Sequence, residues 1–267
     1  MAHFFRDQQI KNSTIDEESL KQLVAVLENR KTALNARVSP ERVDAESGIL
    51  TYVIRFDNKG YRVDSLGELL RYFHQAKELE RIFFNIDTGE SLNSNKQVGA
   101  FIELGLDAKD PNRCFLAVTS NDGDWVDASI STIQDVIAKC KNKNGWVRTA
   151  WMQLAVQVVG VALIFFLSLW IAGKISPKLA IENSFIITFL FLLLMLSNVW
   201  TFLNQKILFL VNGLFPNIEF YRPRRNRMHW LMQRIVGTII IAAAIFAMGK
   251  LASVLGDILS SFVRKGS

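Results

Sequence analysis

"LAVQVVGVALIFFLSLWIAG", residues 154–173, decides how the rest of the chain is read. It is an uncharged run of 20 residues. At 1.5 Å per residue a helix of that length crosses a hydrocarbon core of about 30 Å. With the flank from Trp151 it defines a first span, 151–173. A second uncharged stretch, "SFIITFLFLLLMLSNVWTFLN", defines 184–204. A third, 233–255, has a shorter uninterrupted apolar part, "IVGTIIIAAAIFAMG", closed by Lys250. A buried or interfacial helix is the alternative for that third segment.

The rest of the composition divides along the same line. The chain has 267 residues, a mean hydropathy of +0.18 and a pI of about 9.4. Residues 1–146 carry 19 Lys+Arg against 22 Asp+Glu, whereas residues 147–267 carry 12 against 3. The basic balance therefore belongs to the apolar half, and the first half is slightly acidic. A nucleic-acid-binding fold carries its basic face on the soluble part, so no nucleic-acid partner is expected. Trp146, Trp151, Trp170, Trp200 and Trp230 lie near span ends, where an indole meets both headgroup and water.

Positive charge orients the spans. Lys139, Lys141, Lys143 and Arg148 precede the first, and Lys206, Arg222, Arg224, Arg225, Arg227 and Arg234 lie between the second and third. The opposite side holds Lys174, Lys178, Arg264 and Lys265. The positive-inside rule puts the N-terminal domain and the basic loop 205–232 in the cytoplasm, at a plasma or inner membrane. No cleavable leader is read in "MAHFFRDQQIKNS". Within the loop, "YRPRRNRMHW" (221–230) assigns Arg222, Arg224, Arg225 and Arg227 to anionic headgroups, at about 1 kcal/mol each near a charged leaflet. Docking onto an acidic surface, such as the chain's own first half, is the alternative. "KILFLVNGLFPNIEFY" (206–221) reads as an interfacial helix extension ending near Gly213 and Pro216. The tail 251–263 puts Leu251, Val254, Leu255, Ile258 and Phe262 on one face.

The first half, 1–146, reads as α-β-α-β-β-β-α. An opening helix follows a Thr14/Glu17 capping box, with Leu20, Leu23, Val24, Leu27 and Leu34 inward. Residues 48–57 form a strand, and Asn58 to Gly60 turn the chain. Ser65 and Glu68 cap a second helix, with Leu66, Leu69, Leu70, Phe73 and Leu79 inward. Strands at 81–87, 97–107 and 114–120 follow, joined by short polar links that suit antiparallel neighbours. A last helix begins after "NDGDW". The fold class is thus an α+β cytoplasmic domain with a mostly antiparallel sheet. Residues 147–267 form an α-helical membrane region of two to three transmembrane helices.

No residue pattern points to catalysis, a cofactor or a metal. His3, His74 and His229 are scattered, and no phosphate loop or nucleophile elbow occurs. Asp122, Asp124 and Asp127 resemble the start of a calcium loop, but its twelfth position is Ile133 rather than glutamate. Cys114 and Cys140 read as packing thiols. In the spans, Gln153, Gln157 and Asn198 are the polar residues, and such groups face a helix partner or a wet path. Ala243 with Ala247, and Gly249 with Ser253, are small-residue pairs suited to close helix packing.

An α+β domain fused to membrane spans is an architecture shared by sensors and effectors. The first functional expectation is a membrane-anchored scaffold or sensor whose cytoplasmic domain binds a ligand or partner. Its partners would be an anionic bilayer and a second copy or another membrane protein. The second is an oligomerising effector that permeabilises the bilayer, as toxin-like bacterial defence proteins do.

Overall fold

The computed structural model describes residues 4–222 together with Ile235 and Thr238. The third span, the amphipathic tail, Arg224, Arg225, Arg227, Ala243, Ala247, Gly249 and Ser253 lie outside the described residues. The chain divides into two compact units. One comprises residues 1–145 and 216–226, and the other the remaining stretches.

The first unit contains β1 (Phe4–Gln9), β2 (Ser13–Ile15), α1 (Glu17–Asn35), α2 (Val43–Glu46), β3 (Gly48–Phe56), β4 (Lys59–Val63), α3 (Leu66–Gln75), β5 (Leu79–Thr88), α4 (Gly89–Asn93), β6 (Phe101–Asp107), β7 (Phe115–Ser120) and α5 (Gly123–Lys139). Six strands form an antiparallel sheet in the order β1-β7-β6-β5-β3-β4. The domain is α+β, as read from the sequence. The expected order is corrected by strands it lacked. β1 is an exposed, largely polar edge strand, so it carries no apolar alternation. β4 follows a tight two-residue turn in which Asp57 and Asn58 both have positive φ (51° and 62°). That geometry closes a hairpin, so Lys59 and Gly60 belong to the returning strand and not to the turn.

The core lies on one sheet face. Tyr52 and Ile54 of β3, Ile82, Phe84 and Ile86 of β5, Ile102, Leu104 and Leu106 of β6, and Leu116 and Val118 of β7 are buried there. Leu20, Leu23, Val24 and Leu27 of α1 close over them, with Leu69 and Phe73 of α3 and Ile130 and Ile133 of α5. Each such side chain contributes about 1.5–3 kcal/mol when removed from water. Trp125 is also buried, and its indole N–H donates to the Arg30 carbonyl at 3.1 Å. The helix starts follow the capping rules with one change. Ser65 accepts from the Glu68 amide as expected (3.3 Å), but α1 is capped by Asp16, which accepts from the Ser19 amide at 2.8 Å. Thr14 is instead in β2, and Leu79 opens β5.

The second unit holds α6 (Ala150–Ile175) and α7 (Ser184–Leu214), both long and apolar enough to cross a membrane. At about 1.5 Å per residue they measure roughly 39 and 46 Å, beyond the core thickness. Their apolar side chains are mostly exposed, as Leu194 (69%) and Phe209 (75%) illustrate. That is the pattern of helices that meet lipid rather than a protein core. The two pack as an antiparallel hairpin. Phe165 meets Phe189 edge-to-face at 5.6 Å, and Gly160 lies directly under the Trp200 indole. A Cβ at position 160 would stand 1.7 Å from Trp200 Cζ2.

Gly160→Ala is therefore expected to force the indole outward and to weaken the hairpin by about 1–3 kcal/mol, the usual cost of overpacking. In the Trp200→Ala background the same substitution should cost little. A double-mutant cycle on detergent-solubilised protein measures the coupling, and additive effects would rule out this packing.

Candidate functional site

The first unit is not finished when the chain leaves it at Gly145. β8 (Ile218–Phe220), which follows α7, returns and pairs with β2. The pair is parallel, with Ser13 opposite Ile218, Thr14 opposite Glu219 and Ile15 opposite Phe220. Parallel strands cannot be joined by a tight turn, and here the connection runs through the rest of the domain and then through the two long apolar helices. Ser13, Ile15, Ile218 and Phe220 are all buried.

Asparagines hold this junction. Asn217 is 4% exposed. Its Oδ1 accepts from the Asn12 amide at 3.0 Å, its Nδ2 donates to the Ile10 carbonyl at 3.0 Å, and its carbonyl accepts from the Ser13 amide at 3.0 Å. Asn12 adopts a positive φ of 56°, a conformation asparagine tolerates, and its carbonyl accepts from the Asn142 amide at 2.8 Å. Asn142 donates through Nδ2 to Thr14 Oγ1, and Asn144 through Nδ2 to the Pro216 carbonyl (3.3 and 3.2 Å). Three chain segments are thereby stitched together: 10–15, 140–145 and 216–221. They include the last residues before the hairpin and the first after it. Burial pushes the thiol of nearby Cys114 above its ordinary range, which suits an inert packing role.

The opposite ends of α1 and α5 frame a cleft of about 230 Å³, lined by Leu34, Arg37, Val38, Ser120, Asp122 and Trp125 among others. It is smaller than a drug-sized pocket, so it suits a small polar ligand or the tip of a partner loop. Asp122 caps α5 by accepting from the Asp124 and Trp125 amides (3.0 and 3.2 Å) and pairs with Arg37. Its carboxylate is thus engaged with helix and arginine. No cluster of three metal-ligating side chains exists among the described residues.

The second sheet face has its own electrostatics. Asp87 is 8% exposed, and burial, with Glu103 adding to it, raises its pKa against the opposing pull of Lys96, Ser91 and Arg62. Lys96 reaches Glu103 at 2.6 Å from a turn in which Asn95 and Lys96 have positive φ. Gly99 (φ 91°) lets that turn close, since a Cβ there would lie 2.6 Å from the Ser91 nitrogen.

Of the residues singled out from sequence, Gln153, Gln157 and Asn198 are exposed on the hairpin and stand apart from the Gly160–Trp200 contact. Arg222 bonds carbonyls of its own domain at the end of α3: Phe73 at 3.4 Å, Lys77 at 3.2 Å and Ala76. A cation there complements the negative helix end. Arg222 thus binds the end of α3, while Arg224, Arg225 and Arg227 lie outside the described residues. The asparagine junction was missed because asparagines between elements read as ordinary turn residues. The clue was Asn217 itself, directly after the Pro216 that stops a long apolar helix. Comparison with family models, with curated proteins and with solved structures finds no match to this chain.

Asn217→Ala removes a buried side chain bonded at both ends, and it is expected to lower domain stability by about 2–3 kcal/mol. Denaturant unfolding with and without the substitution measures it, and a loss below about 0.5 kcal/mol would rule out the junction's structural role. For Asp87, the folded pKa lies above the unfolded value of about 3.9, so the folded state holds the proton more tightly. Stability then falls as pH rises from about 4 through the folded pKa. Asp87→Asn should flatten that slope and raise the melting temperature at pH 7, read from thermal unfolding between pH 4 and 7.

Proposed function

We propose that this chain is an integral membrane protein acting as a sensor or scaffold. Its α+β domain, in the cytoplasm, takes a small polar ligand or a partner loop at the α1–α5 cleft. The observation that carries this reading is the double attachment. A domain that only needed an anchor would be complete before the first span, whereas this one is completed by β8 after the second. Both covalent connections to the hairpin leave from the asparagine junction. α5 runs from the cleft at Asp122 to that junction at Cys140. A change at the cleft thus has a rigid element leading to the point where the hairpin begins and ends. The bilayer partner is anionic, met by Arg224, Arg225 and Arg227, and the membrane partner is a second copy or another membrane protein.

The oligomerising effector is the second reading, favoured by one observation. Gln157 and Asn198 are exposed on helices whose other exposed groups are mostly apolar. Groups of that kind in hydrocarbon call for a polar partner or water.

Reconstitution separates the two. In anionic liposomes, a sensor or scaffold leaves encapsulated dye in place at all protein densities. Dye release that rises with protein density and disappears in Gln157→Leu/Asn198→Leu would overturn the sensor reading in favour of the effector.

A further inference from the structure

The seam between α6 and α7 contains polar atoms that the hairpin does not satisfy. Trp200 Nε1 and Asn204 Oδ1 on α7, and Ser168 Oγ on α6, are each buried without a protein hydrogen-bond partner. Ser168 is fully buried. Buried polar groups in proteins are nearly always bonded, and in hydrocarbon an unmet one is costlier still. Trp200 and Asn204 stand one helical turn apart on the same face, about 5–6 Å between Cβ atoms. One is a donor and the other an acceptor. A donor and an acceptor without protein partners thus lie on adjacent turns of one helix.

We propose that this level of the α6–α7 seam is a water-binding site, with a bound water accepting from the Trp200 indole and donating to Asn204 Oδ1. A buried water holds two to four polar partners, and Trp200 and Asn204 supply two. The two atoms do not bond each other directly, and one bridging molecule would satisfy both. Gly160 has a part in this, because only a residue without a side chain lets the indole lie so close against α6. The Ser168 hydroxyl, two turns further along α6, is a second atom of the same kind. The inference rests on the reading that α6 and α7 lie in a bilayer.

Proton-detected solid-state NMR of the full chain in phospholipid vesicles tests both statements separately. The indole nitrogens are isotope-labelled, and Trp200→Phe identifies the Trp200 signal. Water-to-indole transfer at Trp200 should match that of Trp151, and Asn204→Leu should reduce it several-fold while lowering the melting temperature. Transfer to the Leu194 methyls from lipid chains reports the membrane placement. If Leu194 sees water and no lipid, the membrane reading fails. If Leu194 sees lipid and Trp200 sees no water, the water site alone is overturned. Asn204→Leu raising the melting temperature would overturn it too, because the seam would then be dry. Transfer to Trp200 from an amide of a differently labelled second copy would overturn it in favour of a protein partner.

Discussion

The parallel pair between β2 and β8 is the interaction on which the arrangement depends. Its two strands are three residues each and about two hundred positions apart in the chain. So short a pair has little backbone bonding of its own. It is held because Ile15, Ile218 and Phe220 join the domain core and because Asn217 ties the Ile10 and Ser13 segments by side-chain and main-chain bonds. Closing so long a loop carries an entropic cost that grows only slowly with length. Here the intervening chain is itself folded, first into the rest of the domain and then into two helices packed on each other, so much less freedom is lost than a flexible loop would lose. Within the hairpin, Arg148 donates to the Phe215 carbonyl at 3.1 Å, which holds its two ends together before the chain re-enters the domain.

How much of this was legible depended on whether a feature left a local period. α6 and α7 were legible because an uncharged apolar run of that length suits few environments besides a bilayer. The four principal strands and three principal helices were legible because each buries one face, and their apolar residues repeat with a period of two or near four. β1 and β4 were not, since they are edge strands with solvated side chains. The asparagine junction was not, because its bonds join residues up to 207 positions apart. An asparagine bonded across the fold looks in sequence like any turn residue. The cleft was equally hidden, since it arises only when the end of α1 meets the start of α5.

Arg222 shows how charge placement works at two scales. On the scale of the whole chain, the arginines after the second apolar helix are the ones the proposed function assigns to anionic headgroups. On the scale of angstroms, one arginine is taken out of that pool. Its guanidinium binds three carbonyls at the end of α3 and lies 6.0 Å from the Phe73 ring. The counting rule is blind to this, because it weighs each positive charge alike. Arg222 is used within the domain, together with the neighbouring strand β8.

A structure can transmit only as much free energy as its two states differ in contacts. The asparagine junction bears on that limit. Its bonds are neutral hydrogen bonds, each contributing about 0.5–1.5 kcal/mol net, and several of them share residues. Losing the set together is therefore a change of a few kcal/mol, the size typical of coupling between sites. A single salt bridge on the surface would be too weak for this and too sensitive to salt. Ile15, Ile218 and Phe220 are part of the domain core, so only the hydrogen-bonded part of the junction could rearrange without unfolding the domain. For a sensor of the proposed kind, those bonds among 10–15, 140–145 and 216–221 are where a modest, cooperative rearrangement would reach the residues that flank the hairpin.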